Sequence, residues 1–88
     1  MAYEVILKPT AAKALRSLER DMQRRVVRVL ERLADQPRMA GVVKMSGEQN
    51  LWRACVGDVR VVYEIHDGRL AVLVLRIGHR RDVYRGTD

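Results

Sequence analysis

Apolar and polar positions follow a helical period in the first half of the chain and a period of two in the second. Residues 3–7 form a short β-prone segment that ends before Pro9. Thr10 stands where an N-cap belongs, ahead of a first helix over residues 11–20 with Leu15 and Leu18 on one face. Asp21 is placed to cap a second helix, in which Val26, Val27, Leu30, Leu33 and Ala34 recur at i, i+3/i+4 and i+7. Pro37 marks its end, and its opposite face carries Arg24, Arg25, Arg28 and Arg32. Two helices joined by so short a turn form an antiparallel hairpin whose apolar stripe needs a sheet to pack on.

From Val42 onward the alternation is that of strands. Residues 42–45 read as a short strand and residues 46–50 as a loop. Leu51–Val56 and residues 59–65 then form a β-hairpin closed by Gly57-Asp58. Residues 66–68, His66 among them, make a second turn. Residues 70–77 form a strand that is apolar on both faces and therefore belongs inside the sheet. The order β-α-α-β-β-β predicts a small α+β domain over residues 1–88, with two helices on one face of a mostly antiparallel sheet. At 88 residues folding buries only about 60–65% of the unfolded chain's surface, so large apolar residues such as Trp52 and Tyr63 are expected in the core.

The hairpin register places the chemistry. A two-residue loop pairs Val56 with Val59, Cys55 with Arg60, Ala54 with Val61 and Trp52 with Tyr63. Trp52, Ala54, Val56, Val59, Val61, Tyr63 and Ile65 then share the face that the helices cover. Arg53, Cys55, Arg60, Val62 and Glu64 share the other. After Gly78 the tail reads His79-Arg80-Arg81-Asp82-Val83-Tyr84-Arg85, in which Arg80 and Tyr84 fall on one side whether it is helical or extended. Cations and an aromatic folding over a cationic sheet face describe a nucleotide-sized phosphate site.

Composition narrows the classes. Apolar residues make up 48% and charged residues 32%, which excludes a wholly disordered chain. The longest apolar run, residues 70–75, is far short of the roughly 20 a membrane helix needs. Glu4, Lys8 and Pro9 occupy the stretch where a signal peptide would be hydrophobic, so a cytoplasmic protein with no membrane partner is expected. The single Cys55 rules out an internal disulfide and, with two histidines, leaves no zinc-site spacing, so no metal is expected. Seventeen Lys and Arg against eleven Asp and Glu give a net +6, and only Lys8, Lys13 and Lys44 of the cations are lysine. Arginine presents a planar fork that matches phosphate bidentately, which points to a nucleic-acid or phosphate partner. The chain has no Phe and no RNP-type aromatic motif, against an RRM-like reader.

Tyr3-Glu4-Val5, the helix pair, Gly57-Asp58-Val59-Arg60-Val61-Val62-Tyr63-Glu64-Ile65 and Ile77-Gly78-His79-Arg80-Arg81-Asp82-Val83-Tyr84 together resemble the RelE branch of the RelE/ParE toxin superfamily, over residues 3–85. The resemblance implies the toxin of a type II toxin–antitoxin pair, without cofactor. Such toxins enter the ribosomal A site, cut the mRNA there by way of its 2′-hydroxyl, and are blocked by a cognate antitoxin. Operator DNA is met only through the antitoxin complex. By the same resemblance, Arg60 and Arg80 align with phosphate-stabilising arginines and Tyr84 with a tyrosine that orients the nucleotide. Arg53 and Cys55 stand where well-studied members carry two lysines; with Arg81 they are expected to contact RNA. Arginine is a poor proton acceptor and a thiol is no cation, so His79 becomes the candidate proton carrier. The alternatives are a ParE-like toxin acting on DNA gyrase and a catalytically weakened RNA-binding member.

Overall fold

A computed structural model of the chain describes residues 2–45 and 50–83. Its elements are β1 (Glu4–Leu7), α1 (Pro9–Ser17), α2 (Arg20–Asp35), β2 (Val43–Lys44), β3 (Leu51–Val56), β4 (Val59–His66), a 3-10 turn (Asp67–Arg69), β5 (Ala71–His79) and α3 (Arg80–Val83). The five strands, one more than the β-α-α-β-β-β order counts because the short β2 joins the sheet edge, form one sheet in the order β1-β5-β4-β3-β2. β1 and β5 are parallel and the other neighbours antiparallel. The helices account for the parallel pair: they carry the chain from β1 to the far edge, and the β2–β5 meander returns until β5 docks on β1.

Both helix starts differ from the sequence expectation. Pro9, rather than a residue after Thr10, opens α1, and Lys8 holds the cap position with no side-chain bond. Proline at N1 lacks an N–H that would be unpartnered there and has its φ preset, so it begins the helix earlier than a Thr10 cap would. α1 stops at Ser17 because Leu18 and Glu19 are extended. The cap of α2 is Glu19, whose carboxylate accepts the Asp21 N–H at 2.7 Å. Asp21 thus sits in the first turn, where its charge still favours the positive end of the helix dipole.

Val26, Leu30, Leu33 and Ala34 of α2 are buried against the sheet, but Val27, expected in that stripe, is 38% exposed on its flank. β2 is confined to Val43–Lys44, and most of the expected 46–50 loop lies outside the described residues. The β3–β4 register matches the expected pairing from Val56↔Val59 to Trp52↔Tyr63. β5 lies in the sheet interior, as its apolar faces require. Tyr63 is wholly buried and its hydroxyl donates to the Pro37 carbonyl at 2.7 Å. That bond satisfies the one polar atom of a core tyrosine, and burial pushes its ionisation far above the ordinary range.

One irregularity decides how β5 faces its surroundings. Val62 pairs with Arg76 but Tyr63 pairs with Val74, so Leu75 is an extra residue on β5. This β-bulge shifts the alternation. Val72 and Val74 lie on the helix side before it and Ile77 after it, all three buried.

Candidate functional site

The β3–β4 hairpin sorts its side chains by parity. On the helix side Ala54, Val56, Val59, Val61, Tyr63 and Ile65 are at most 5% exposed. On the other side are Arg53, Cys55, Arg60, Val62 and Glu64, with Cys55 opposite Arg60 and Arg53 opposite Val62. Gly57 closes the turn at φ +60, a left-handed conformation that glycine adopts without strain.

Arg60 is half-buried, and its Nη1 donates to the Gly57 carbonyl at 2.9 Å and to the Val59 carbonyl at 3.3 Å. The nearby Glu64 is engaged instead by His66, its Oε1 lying 2.8 Å from Nε2. No carboxylate among the described residues neutralises Arg60, so its charge is directed by two carbonyls and remains available to an anion. Cys55 beside it is an exposed free thiol. The Arg80 N–H donates to the Asp58 carbonyl at 2.8 Å, which ties the start of α3 to the same turn. The Arg80 and Arg81 side chains are exposed. The hairpin turn therefore holds the Arg60 side chain and the Arg80 backbone, from elements distant in sequence.

The structure separates His79 from this group. It is exposed, ends β5 in register with buried Val59, and so leaves the sheet on the side opposite Arg60. Tyr84 lies outside the described residues.

Two cations near the site were missed by sequence reasoning. A Cβ built on Gly57 would lie 3.6 Å from Arg25 Nη1, so Arg25 of α2 reaches the hairpin turn rather than standing apart on the helix surface. Arg76 is the β5 partner of Val62 and shares its face, across from Arg53. Residues 70–75 are apolar at every position, so the only sequence signal for Arg76 is a single charge in an otherwise apolar strand. Three open grooves of about 250, 360 and 280 Å³ lie along α2, and none of the three includes Arg53, Cys55 or Arg60. No group of three or more metal-ligating side chains occurs among the described residues. Among the described residues no helix is long and apolar enough to cross a membrane.

A helix pair on one side of a mixed five-stranded sheet is the fold of RelE-type toxins in the solved structures. The chain matches, over residues 5–84, the family model described as ParE toxin of type II toxin–antitoxin system, parDE, and belongs to that family. Solved structures agree. A chain of the archaeal RelE–RelB complex from Pyrococcus horikoshii OT3 superposes with a TM-score of 0.82 at 29% identity, covering 93% of this chain and 99% of that one. One from the RelBE2 complex of Mycobacterium tuberculosis gives 0.79 at 27% identity, with 91% and 100% covered. The isolated E. coli RelE toxin gives 0.80 at 24% identity, with 94% and 92% covered, a likeness of fold. No curated protein sequence matches the chain significantly.

Proposed function

We propose that residues 1–88 act as one toxin domain that cleaves mRNA in the ribosomal A site and is neutralised by a cognate antitoxin in the cytoplasm. The observation that carries this reading is the hairpin: Arg53 and Arg60 share the face turned away from α1 and α2, and Arg80 is bonded at 2.8 Å to the turn that Arg60 also grips. In the reaction the 2′-oxygen attacks phosphorus, the bond to the 5′-oxygen breaks, and a 2′,3′-cyclic phosphate and a 5′-hydroxyl result. One proton leaves the 2′-oxygen and one reaches the 5′-oxygen. Negative charge grows on the phosphoryl oxygens in the transition state, where Arg60 and Arg80 act. Tyr84 orients the nucleotide, Arg53, Cys55 and Arg81 line the path of the RNA, and no metal is required.

His79 serves as the proton carrier in this scheme. Its side chain leaves the sheet on the side opposite Arg60, so RNA laid on the cationic face must turn around the end of β5, beside Arg80, for the 2′-oxygen to meet it. With no lysine on the face, proton transfer is the weak element, and the ribosome compensates by holding the 2′-oxygen in line. The antitoxin partner is supported by the RelE–RelB complexes among the similar structures. An acidic and apolar segment covering Arg60 and Arg80 fits this face and would be weakened by salt. Operator DNA is reached only through that complex.

The test is expression of the toxin alone. Growth should stop, and cleavage should appear on translated mRNA but hardly on naked RNA. Equal cutting of free RNA would overturn the ribosome-dependent scheme. The match to the parDE family model favours a second reading, inhibition of DNA gyrase. Growth arrest with intact mRNA and induction of the DNA-damage response would replace the first reading by the second.

A further inference from the structure

Arg76 belongs to no motif of the sequence, and the fold makes a particular effort to place it. Strict alternation from Val72 and Val74 would send position 76 to the helix side, into the core. The extra residue at Leu75 reverses this and sets Arg76 opposite Val62 on the face of Arg53 and Arg60. Bulges of this kind re-aim side chains and are frequent beside active sites. The result is a row across three strands, Arg53–Val62–Arg76, with Val62 only 2% exposed between its two long neighbours. Adjacent strands are about 4.8 Å apart and residues two apart on a strand about 7 Å. Arg53 and Arg76 therefore leave the sheet roughly 10 Å apart, straddling β4, and Arg60 stands about 7 Å further along that strand. Guanidinium forks on flexible stems of that spacing converge on one phosphate from both sides.

We propose that the Leu75 bulge turns Arg76 onto the cationic face so that, with Arg53, it holds a phosphate next to the scissile one, which Arg60 engages. The inference rests on the ribonuclease reading above and makes Arg76 a positioning residue of the RNA strand running along β4. Its interaction is present before and during the reaction alike, so it sets binding rather than the rate of the chemical step.

The experiment is single-turnover cleavage on programmed ribosomes with toxin in excess, comparing wild type, Arg76→Gln and Arg76→Lys. Each mRNA carries either natural phosphates or an uncharged methylphosphonate at one of the two positions flanking the cut. Arg76→Gln should raise the toxin concentration for half-maximal cleavage about tenfold, as loss of a charged hydrogen bond does, with a maximal rate within about twofold of wild type. Arg76→Lys should recover part of the loss, because its charge remains while the planar fork does not. At one flanking position the methylphosphonate should weaken wild type as much as Arg76→Gln does and weaken that variant no further. Penalties that multiply at both flanking positions would overturn the assignment, as would a fall in maximal rate with half-saturation unchanged. A wild type that cuts no translated mRNA would sink the ribonuclease reading itself. A wild type that cuts, matched by Arg76→Gln throughout, would sink this inference alone.

Discussion

The two faces of the β3–β4 hairpin share one backbone and divide its work. On the helix side, residues from Ala54 to Ile65 are at most 5% exposed and supply the core. On the other, Arg53, Cys55 and Arg60 add little to the core and carry the charge. Because successive side chains point to opposite faces, substitutions on the helix side should affect stability and those at Arg53, Cys55 or Arg60 activity. That division lets a domain this small keep a cationic surface without placing charge in its core, where an unpaired charge would be costly.

The comparison is tested most severely on the buried side. Ile65→Ala should cost about 2–5 kcal/mol of stability through a lost side chain and residual cavity. Denaturant unfolding measures this, while the fraction still folded keeps its specific cleavage activity. On the opposite face, Arg60→Ala should lower the maximal cleavage rate about 10²-fold, or about 2.7 kcal/mol of transition-state stabilisation. Its unfolding free energy should stay within about 0.5 kcal/mol of wild type. A variant that melts early and still cleaves would reverse the assignment of faces. His79, which the register puts on the far side from Arg60, sharpens the comparison further. His79→Gln should slow cleavage by at least tenfold, about 1.4 kcal/mol. A smaller loss would make it a structural residue at the β5–α3 junction.

The smallest effect is expected at the other end of the sheet. There Asp67 accepts the Tyr3 hydroxyl at 2.6 Å and pairs with Arg38 through bonds of 3.1 and 2.8 Å, while Arg38 stacks 5.4 Å from the Trp52 ring centre. The Arg38 bonds, and then the Tyr3 bond, hold the Asp67 carboxyl down to about 2. A carboxyl depressed on folding adds stability that is complete above its ordinary value near 4 and is lost as pH falls toward 2. Asp67 is solvent-exposed, so the gain is modest. Asp67→Asn should melt slightly below wild type at pH 6, and the gap should shrink as pH falls to 2. A gap undiminished at pH 2 would assign the effect to packing instead.

Local pattern alone determined much of this protein. The helical stripe of α2, the two-residue turn at Gly57-Asp58 and the hairpin register followed from it. So did the separation of Arg53, Cys55 and Arg60 from the core. Each depends on neighbours within a few residues, where side-chain period and turn geometry suffice. Helix starts were less legible: Thr10 and Asp21 have capping side chains, yet Pro9 at N1 and the Glu19 carboxylate took those roles. Alternatives so close in free energy are decided by how the whole element docks. What only the tertiary structure decided is which distant groups meet. β5 must pair with β1 on one edge and β4 on the other while keeping Val72, Val74 and Ile77 in the core. The bulge at Leu75 is the compromise, and it moves Arg76 across the sheet. Arg25 at the Gly57 turn, Arg80 on the Asp58 carbonyl and Arg38 on Asp67 are likewise contacts between elements. No period within one segment encodes them, because the free energy that selects them arises only when the sheet closes and the helices are seated on it.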